Sequence, residues 1–296
     1  METMTVNAAQ IIPAVAVPEG AGVTVYRTIG TPVIRNYDPF LLLDHISSDK
    51  PEDYLAGFPS HPHRGFVTFT YMIDGHMEHQ DSMGNRGDLG PGSAQWMKAA
   101  SGVIHSEMPK QQNGLMRGFQ LWINLPAAHK MDHPEYQEYA TEAFPVVDAP
   151  DYRVKVLIGR YVDVQSPIID PVTDVSYFDV KVQPGKRFQH RLPARHHSFL
   201  YVFEGDGHLH QQFVAMHSLA ALSGADEIFD FTAGRKGARL LVVSGKPVGE
   251  PVVQYGPFVM NTREEIDQAL QDFQTNSFVR NRAWIKKRND YSHSTI

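Results

Sequence analysis

The sequence contains no cysteine. Disulfides, thiolate nucleophiles and cysteine-held zinc or iron–sulfur clusters are therefore excluded, and any metal must be bound by nitrogen and oxygen. It also lacks a basic excess: Lys and Arg number 27 against 33 Asp and Glu, for a net charge of -6. That removes the electrostatic reason to expect nucleic acid as a partner. Long apolar runs are missing as well, so no membrane span is expected. No Lys or Arg precedes the weakly apolar start, and Pro13, Pro18 and Glu19 interrupt it, which makes a poor signal peptide. A cytoplasmic protein is the default expectation. Within these bounds, 296 residues with 42% hydrophobic content are enough for one large domain or two ordinary ones.

What is present is a cadence of short β-rich runs. Phe66–Ile73, Phe119–Asn124, Ser176–Val182 and Arg239–Val243 are separated by clusters of Gly, Pro, Asn and Asp, the pattern of an all-β sandwich or barrel. One segment reads clearly as a helix. Thr262 and Glu265 have capping-box spacing, and Ile266, Ala269, Leu270 and Phe273 then recur on one face. A second, shorter helix is expected around Pro134 to Tyr139, ahead of Pro145 and Pro150, and this stretch is the expected linker between halves. The halves echo one another. Thr70-Tyr71-Met72-Ile73-Asp74-Gly75 resembles Leu200-Tyr201-Val202-Phe203-Glu204-Gly205, an apolar strand ending in an acidic residue and glycine.

The candidate site is a split set of four residues. His61 and His63 flank a proline, and His105 and Glu107 flank a serine. On a strand, each i, i+2 pair lies on one face. If the two strands are neighbours, three imidazoles and a carboxylate converge as a first shell for a divalent metal. This donor set suits iron(II), manganese, cobalt, nickel, copper and zinc, so spacing leaves the metal open. Four such ligands saturate tetrahedral zinc, whereas a five- or six-coordinate ion keeps a position for catalysis. A metal that also does one-electron chemistry with oxygen fits better. Glu107, bound through one oxygen, can in addition accept a proton from a substrate hydroxyl. Carrying the internal echo back places Arg191 and Pro193 at the positions of His61 and His63, so the second half lacks the first ligand pair; a slip of one residue brings in His190.

The context of these residues resembles a known family. Phe58-Pro59-Ser60-His61-Pro62-His63-Arg64-Gly65-Phe66, then Gln95-Trp96-Met97, then Gly102-Val103-Ile104-His105-Ser106-Glu107-Met108-Pro109 is similar to the signature of the pirin family in the cupin superfamily. Pro39-Phe40-Leu41-Leu42-Leu43-Asp44 upstream is similar to its N-terminal pattern, and Gly256-Pro257-Phe258-Val259-Met260-Asn261 with the following helix matches its ending. The resemblance implies a bicupin: two antiparallel jelly-roll barrels, an N-terminal metal-binding cupin over 1–140 and a C-terminal cupin without ligands over 141–296. It implies one divalent ion, Fe(II) first, with Mn, Ni, Co or Cu as alternatives, held by His61, His63, His105 and Glu107. It implies quercetin 2,3-dioxygenase-like activity, in which O2 opens a flavonol and carbon monoxide leaves. The alternative it implies is a redox-sensitive regulator that binds a partner protein. One departure stands out: the glutamate usual in cupins four residues after the second histidine is Val67 here.

The remaining histidines receive structural readings. His76 and His79 in the first hairpin, and His208 and His210 in the second, are expected on solvated strand faces. His196 and His197 alternate, so at most one points inward. His45 either closes the site or packs beside it. Trp96, Met97, Trp122 and Phe66 or Phe69 are candidates for a flat aromatic pocket, and alternation along an unbroken strand selects Phe69. The basic segment Arg280 to Arg288 is expected to be an exposed tail.

Overall fold

The computed structural model describes residues 8–222 and 228–280. The described residues begin with β1 (Ala8–Pro13), β2 (Val15–Glu19), β3 (Val23–Arg27) and β4 (Phe40–Ser48). β5 (Phe58–His63), β6 (Phe66–Asp74), β7 (Met77–Asp81) and β8 (Arg86–Leu89) follow, then β9 (Ala94–Lys98), β10 (Val103–Pro109), β11 (Met116–Asn124) and β12 (Glu135–Tyr139). The second half runs through β13 (Val146–Asp148), β14 (Tyr152–Ile158), the small hairpin β15 (Arg160–Tyr161) and β16 (Val164–Gln165), and β17 (Ser176–Val182). It continues as β18 (Arg187–Arg191), β19 (His197–Leu209), β20 (Gln212–Val214), β21 (Ser218–Leu222) and β22 (Ile228–Gly245). The hairpin of β23 (Val253–Tyr255) and β24 (Phe258–Met260) and the helix α1 (Arg263–Gln274) complete it.

The two halves share one topology. The first large sheet has the order β12-β9-β6-β11-β4-β3-β2, and the second β1-β21-β19-β22-β17-β14-β13. The strands match position by position, including β6 with β19, which carry the sequence echo. Their apolar faces pack together: Phe69, Tyr71, Phe119 and Leu121 meet Tyr177, Phe199, Tyr201 and Leu241 in a common core. In the first half a four-stranded sheet, β5-β10-β7-β8, covers the other face. In the second, β18 and β20 pair with extensions of β22 and β19 to do the same. This is the all-β bicupin architecture expected from the sequence. Among the described residues no helix is long and apolar enough to cross a membrane.

Two local expectations are overturned. Pro134 to Tyr139 does not form a helix: Glu135–Tyr139 is an edge strand paired with β9, because five residues cannot repay helix nucleation whereas a ready sheet edge satisfies their backbone. The expected helix is α1, and its capping box is complete: Thr262 accepts from the Glu265 N–H, and the Glu265 side chain accepts from the Thr262 N–H. Ile266 and Ala269 of α1 pack on Phe258, Met260 and Phe278, and Asp272 reaches the first half to pair with buried Arg64 at 2.8 Å. Phe273 is 41% exposed, so the buried stripe is narrower than the spacing suggests. The basic segment beyond Arg280 lies outside the described residues.

Candidate metal centre

β5 is the edge of the four-stranded sheet, where Pro62 costs no ladder bond. β10 lies between β5 and β7, and its pairing sets the site. His105 stands opposite His61 on one side and Asp81 on the other, while Glu107 stands opposite His79. Cross-strand partners share a face, so all these side chains point into the same barrel. A bulge between His105 and Glu107 shifts the β5 register.

The three expected histidines do converge. His61 Nε2 is 3.0 Å from His63 Nε2, and the His105 ring lies 4.4 Å from that of His61 and 4.8 Å from that of His63. Donor nitrogens of the three fall within 4.8 Å of one another. Glu107 joins the cluster through His105. A second group within the same spread is His79, His105 and Glu107, all buried. His105 thus belongs to both groups, and Glu107 is not within that spread of His61 and His63.

The donor set fits a divalent cation. His105 Nε2 is buried without a hydrogen-bond partner, a cost of about 1–3 kcal/mol that a cation would relieve. His61 donates its Nδ1 hydrogen to the Pro59 carbonyl at 2.7 Å, which leaves Nε2 as a lone pair facing His63. Burial, and then the neighbouring His61, holds His63 well below the ordinary imidazole pKa. Burial, then His63, His61 and His79, does the same for His105. Neutral imidazole is the form that binds metal. The cluster could therefore hold an ion.

Glu107 is fixed from both sides. Thr70 Oγ1 donates to Oε1 at 3.2 Å and Gln120 Nε2 donates to Oε2 at 2.8 Å, while Trp122 Nε1 donates to the Gln120 carbonyl oxygen at 3.0 Å. Beyond the carboxylate is a cavity of about 20 Å³, lined by Glu107, Thr70, Gln120 and the apolar Val25, Met72, Met77 and Phe119. It has room for about one water.

His79 corrects the sequence reading. It is fully buried rather than solvated, because on β7 it lies on the inward face opposite Glu107, while its neighbour Gln80 points outward. The signal was available: His79 and Asp81 have the same i, i+2 spacing as the chosen pairs. His76 is exposed as expected. The aromatic expectation also shifts. Gly65, at φ 93, breaks the strand, and a Cβ there would meet the Val259 carbonyl oxygen at 1.9 Å. Phe66 therefore stands beside His63, with ring centroids 5.1 Å apart, and Phe69 faces the core between the halves. Trp122 also lies 5.1 Å from His63. Trp96 and Val67 pack in that same core between the halves. Met97 packs with Met83, Val103 and Tyr136.

Among the described residues, no other histidine joins the cluster. His45 is buried against Phe119, with Nδ1 3.2 Å from the Tyr201 hydroxyl. His196 and His197 contact Ser244 and the Asp38 carbonyl. His208 is exposed, and His210 is half-buried at a turn. In the second half β18 takes the place of β5, and opposite His190 and Phe188 stand Phe229 and Phe231. Aromatic rings are buried there, at the place of the histidine cluster in the first half.

Comparison with known proteins agrees with this geometry. Residues 22–123 match the pirin family model and 177–279 the pirin C-terminal cupin domain. A Pseudomonas aeruginosa protein named "Putative quercetin 2,3-dioxygenase" is 49% identical, over 86% of this chain and 92% of its own length. A pirin-like protein of Caulobacter vibrioides is 44% identical over 91% of this chain and 98% of its own. The crystal structure of a quercetin 2,3-dioxygenase from Acinetobacter baumannii superposes with a TM-score of 0.86 at 30% identity, covering 93% of this chain and 99% of that one. On these matches, and on the paired barrels with their histidine cluster, the chain belongs to the pirin family.

Proposed function

We propose that this protein is a metal-dependent dioxygenase, with iron(II) as its metal, that cleaves a flavonol such as quercetin with O2 and releases carbon monoxide. His61, His63, His105 and Glu107 would hold the ion, and Glu107 would also serve as the base. The observation that carries this reading is a buried carboxylate, held by two hydrogen bonds, adjoining a histidine triad with an unsatisfied nitrogen. The names of the Pseudomonas relative and the Acinetobacter structure support it.

When bound, the ion supplies a Lewis-acid centre able to exchange electrons with oxygen. The protein supplies the proton chemistry. Glu107 takes the hydroxyl proton of the flavonol at Oε1 once the Thr70 hydroxyl rotates away. Gln120 keeps its bond to Oε2, and Trp122 keeps the Gln120 amide turned the right way. Phe66 and Trp122 offer flat apolar faces beside His63. Burial keeps bulk water from His63, His105 and Glu107, while His61 is partly exposed.

Quercetin added anaerobically to iron-loaded protein, followed by oxygen, is expected to lose its flavonol absorbance with release of carbon monoxide. Absence of turnover with each of iron, manganese, nickel, cobalt and copper overturns the reading. Glu107→Gln is expected to lower kcat by about 10²–10⁴-fold while retaining substrate binding.

One observation favours a second reading. The cavity beside Glu107, about 20 Å³, is far below the roughly 300 Å³ or more of a small-molecule pocket. A flavonol fits this cavity only if its wall opens. A regulatory protein whose metal alters a partner-binding surface needs no such opening. Partner capture that differs between iron(II) and iron(III) forms supports this reading, and capture indifferent to metal state removes it.

A further inference from the structure

His79 is buried beside the metal centre, and the proposed function leaves it without a task. It lies between the Tyr136 ring, stacked at 4.7 Å, and the His105 ring at 5.2 Å. Its two nitrogens meet different partners. Nε2 is 3.2 Å from Asp81 Oδ2. Asp81 also accepts the Met83 and Asn85 backbone N–H groups on Oδ1 and the Asn85 side-chain amide on Oδ2, so everything around it is a donor. His79 Nε2 therefore carries a hydrogen, and in the neutral ring Nδ1 is left as the acceptor. Gln95 turns its amide nitrogen toward that same Nδ1 at 3.2 Å.

The next contact extends the chain of inference. His79 Nδ1 and His105 Nδ1 are 3.3 Å apart. A hydrogen bond between them needs one hydrogen, and with His79 accepting, His105 supplies it, the single Nδ1 lone pair of His79 being shared between His105 and the Gln95 amide. That fixes His105 as the Nδ1–H tautomer with a bare Nε2. Nε2 is also the buried atom that has no partner in the protein. His61 is set in the same tautomer by the Pro59 carbonyl.

We propose that Asp81 and His79 form a relay that positions His105, setting its ring and tautomer so that Nε2 is the atom presented to the metal. His79 is thus a positioning residue and not a ligand. The proposal rests on the reading of His105 as a metal ligand. Outer partners of ligating histidines act in this way elsewhere, and their loss costs about 10–100-fold in metal affinity. The competing arrangement is a second cation held by His79, His105 and Glu107, whose donor atoms also cluster.

The test uses full-length protein stripped of metal and titrated with cobalt(II) against a competing chelator. Wild type is expected to bind one ion per chain. His105→Ala is expected to lose at least 100-fold in affinity and His79→Ala about 10–100-fold. His79→Asn, which keeps an acceptor near the Nδ1 position, is expected to recover most of that loss. Asp81→Asn, which lets the His79 tautomer reverse, is expected to weaken binding. Nitrogen-resolved NMR of the metal-free wild type is expected to show the hydrogen of His105 on Nδ1, a readout that needs no variant to fold. Unchanged affinity in His79→Ala and Asp81→Asn beside a lost affinity in His105→Ala overturns the relay alone. Unchanged affinity in all three overturns the metal reading itself. Two ions per wild-type chain, or a hydrogen on His105 Nε2, also overturns the relay.

Discussion

Gln120 Nε2 donates to Glu107 Oε2 at 2.8 Å, and this bond ties the carboxylate to the wall shared with Trp122. Gln120→Leu removes the donor to Glu107 and the acceptor of the indole N–H. A loss of about 1–3 kcal/mol in stability is expected from the unsatisfied groups. Flavonol turnover is expected to fall in kcat more than it rises in KM, because orientation of the base is lost. Steady-state kinetics beside urea denaturation separates the two effects.

The buried histidines make stability depend on pH. Burial is the leading cause that lowers His45, His63 and His105 well below the ordinary value. In the unfolded chain these groups take up protons near pH 6.5. Below that pH the unfolded state binds more protons than the native state, so stability of the metal-free protein falls as pH drops. Three such groups give a slope of up to about 4 kcal/mol per pH unit. Urea midpoints measured from neutral to mildly acid pH check this, and a flat profile below pH 6.5 would show that the rings charge within the fold.

The ion pair of Arg64 and Asp272 joins the C-terminal helix to the first half at 2.8 Å, with both side chains almost wholly buried. Asp272→Ala leaves the guanidinium charge without its carboxylate, although the Ser101 and Phe278 carbonyls still accept from it. A destabilisation of about 3 kcal/mol is expected. Thr262→Ala, which removes the cap of the same helix, is expected to cost about 1 kcal/mol. Denaturation midpoints of the two variants give the comparison.

A cation that binds only the folded site raises the unfolding free energy by mass action. At a free concentration 100-fold above Kd the gain is about 2.7 kcal/mol. Wild type is expected to show this shift with cobalt(II), and chelation is expected to reverse it. His63→Ala is expected to show little shift. An equal shift in both proteins would place the ion elsewhere.

The histidine cluster was legible because strand alternation turns i, i+2 spacing directly into a shared face, and His61, His63 and His105 do meet. His79 was not legible from its neighbours in sequence. Beside Gly75 and exposed His76 it reads as a polar hairpin residue, and what buries it is the inward face of β7 that it shares with Met77, opposite Glu107. Phe66 and Phe69 show how little displaces such an inference. One break at Gly65 restarts the alternation and moves the ring beside His63 by three residues. The strand Glu135–Tyr139 was misread because its partner, β9, lies almost forty residues earlier in the chain.

The strand Ala8–Pro13 is laid against Ser218–Leu222 in the second sheet, while the helix Arg263–Gln274 grips Arg64 in the first. Each end of the described region is thus stitched into the opposite half. A fragment built from the second half alone would bare the edge of Ser218–Leu222 and the aromatic face that Phe69 and Phe119 cover. Raw edges of this kind recruit other chains. Truncation for expression or crystallography therefore invites aggregation, and the sequence can be shortened safely only by respecting both stitches.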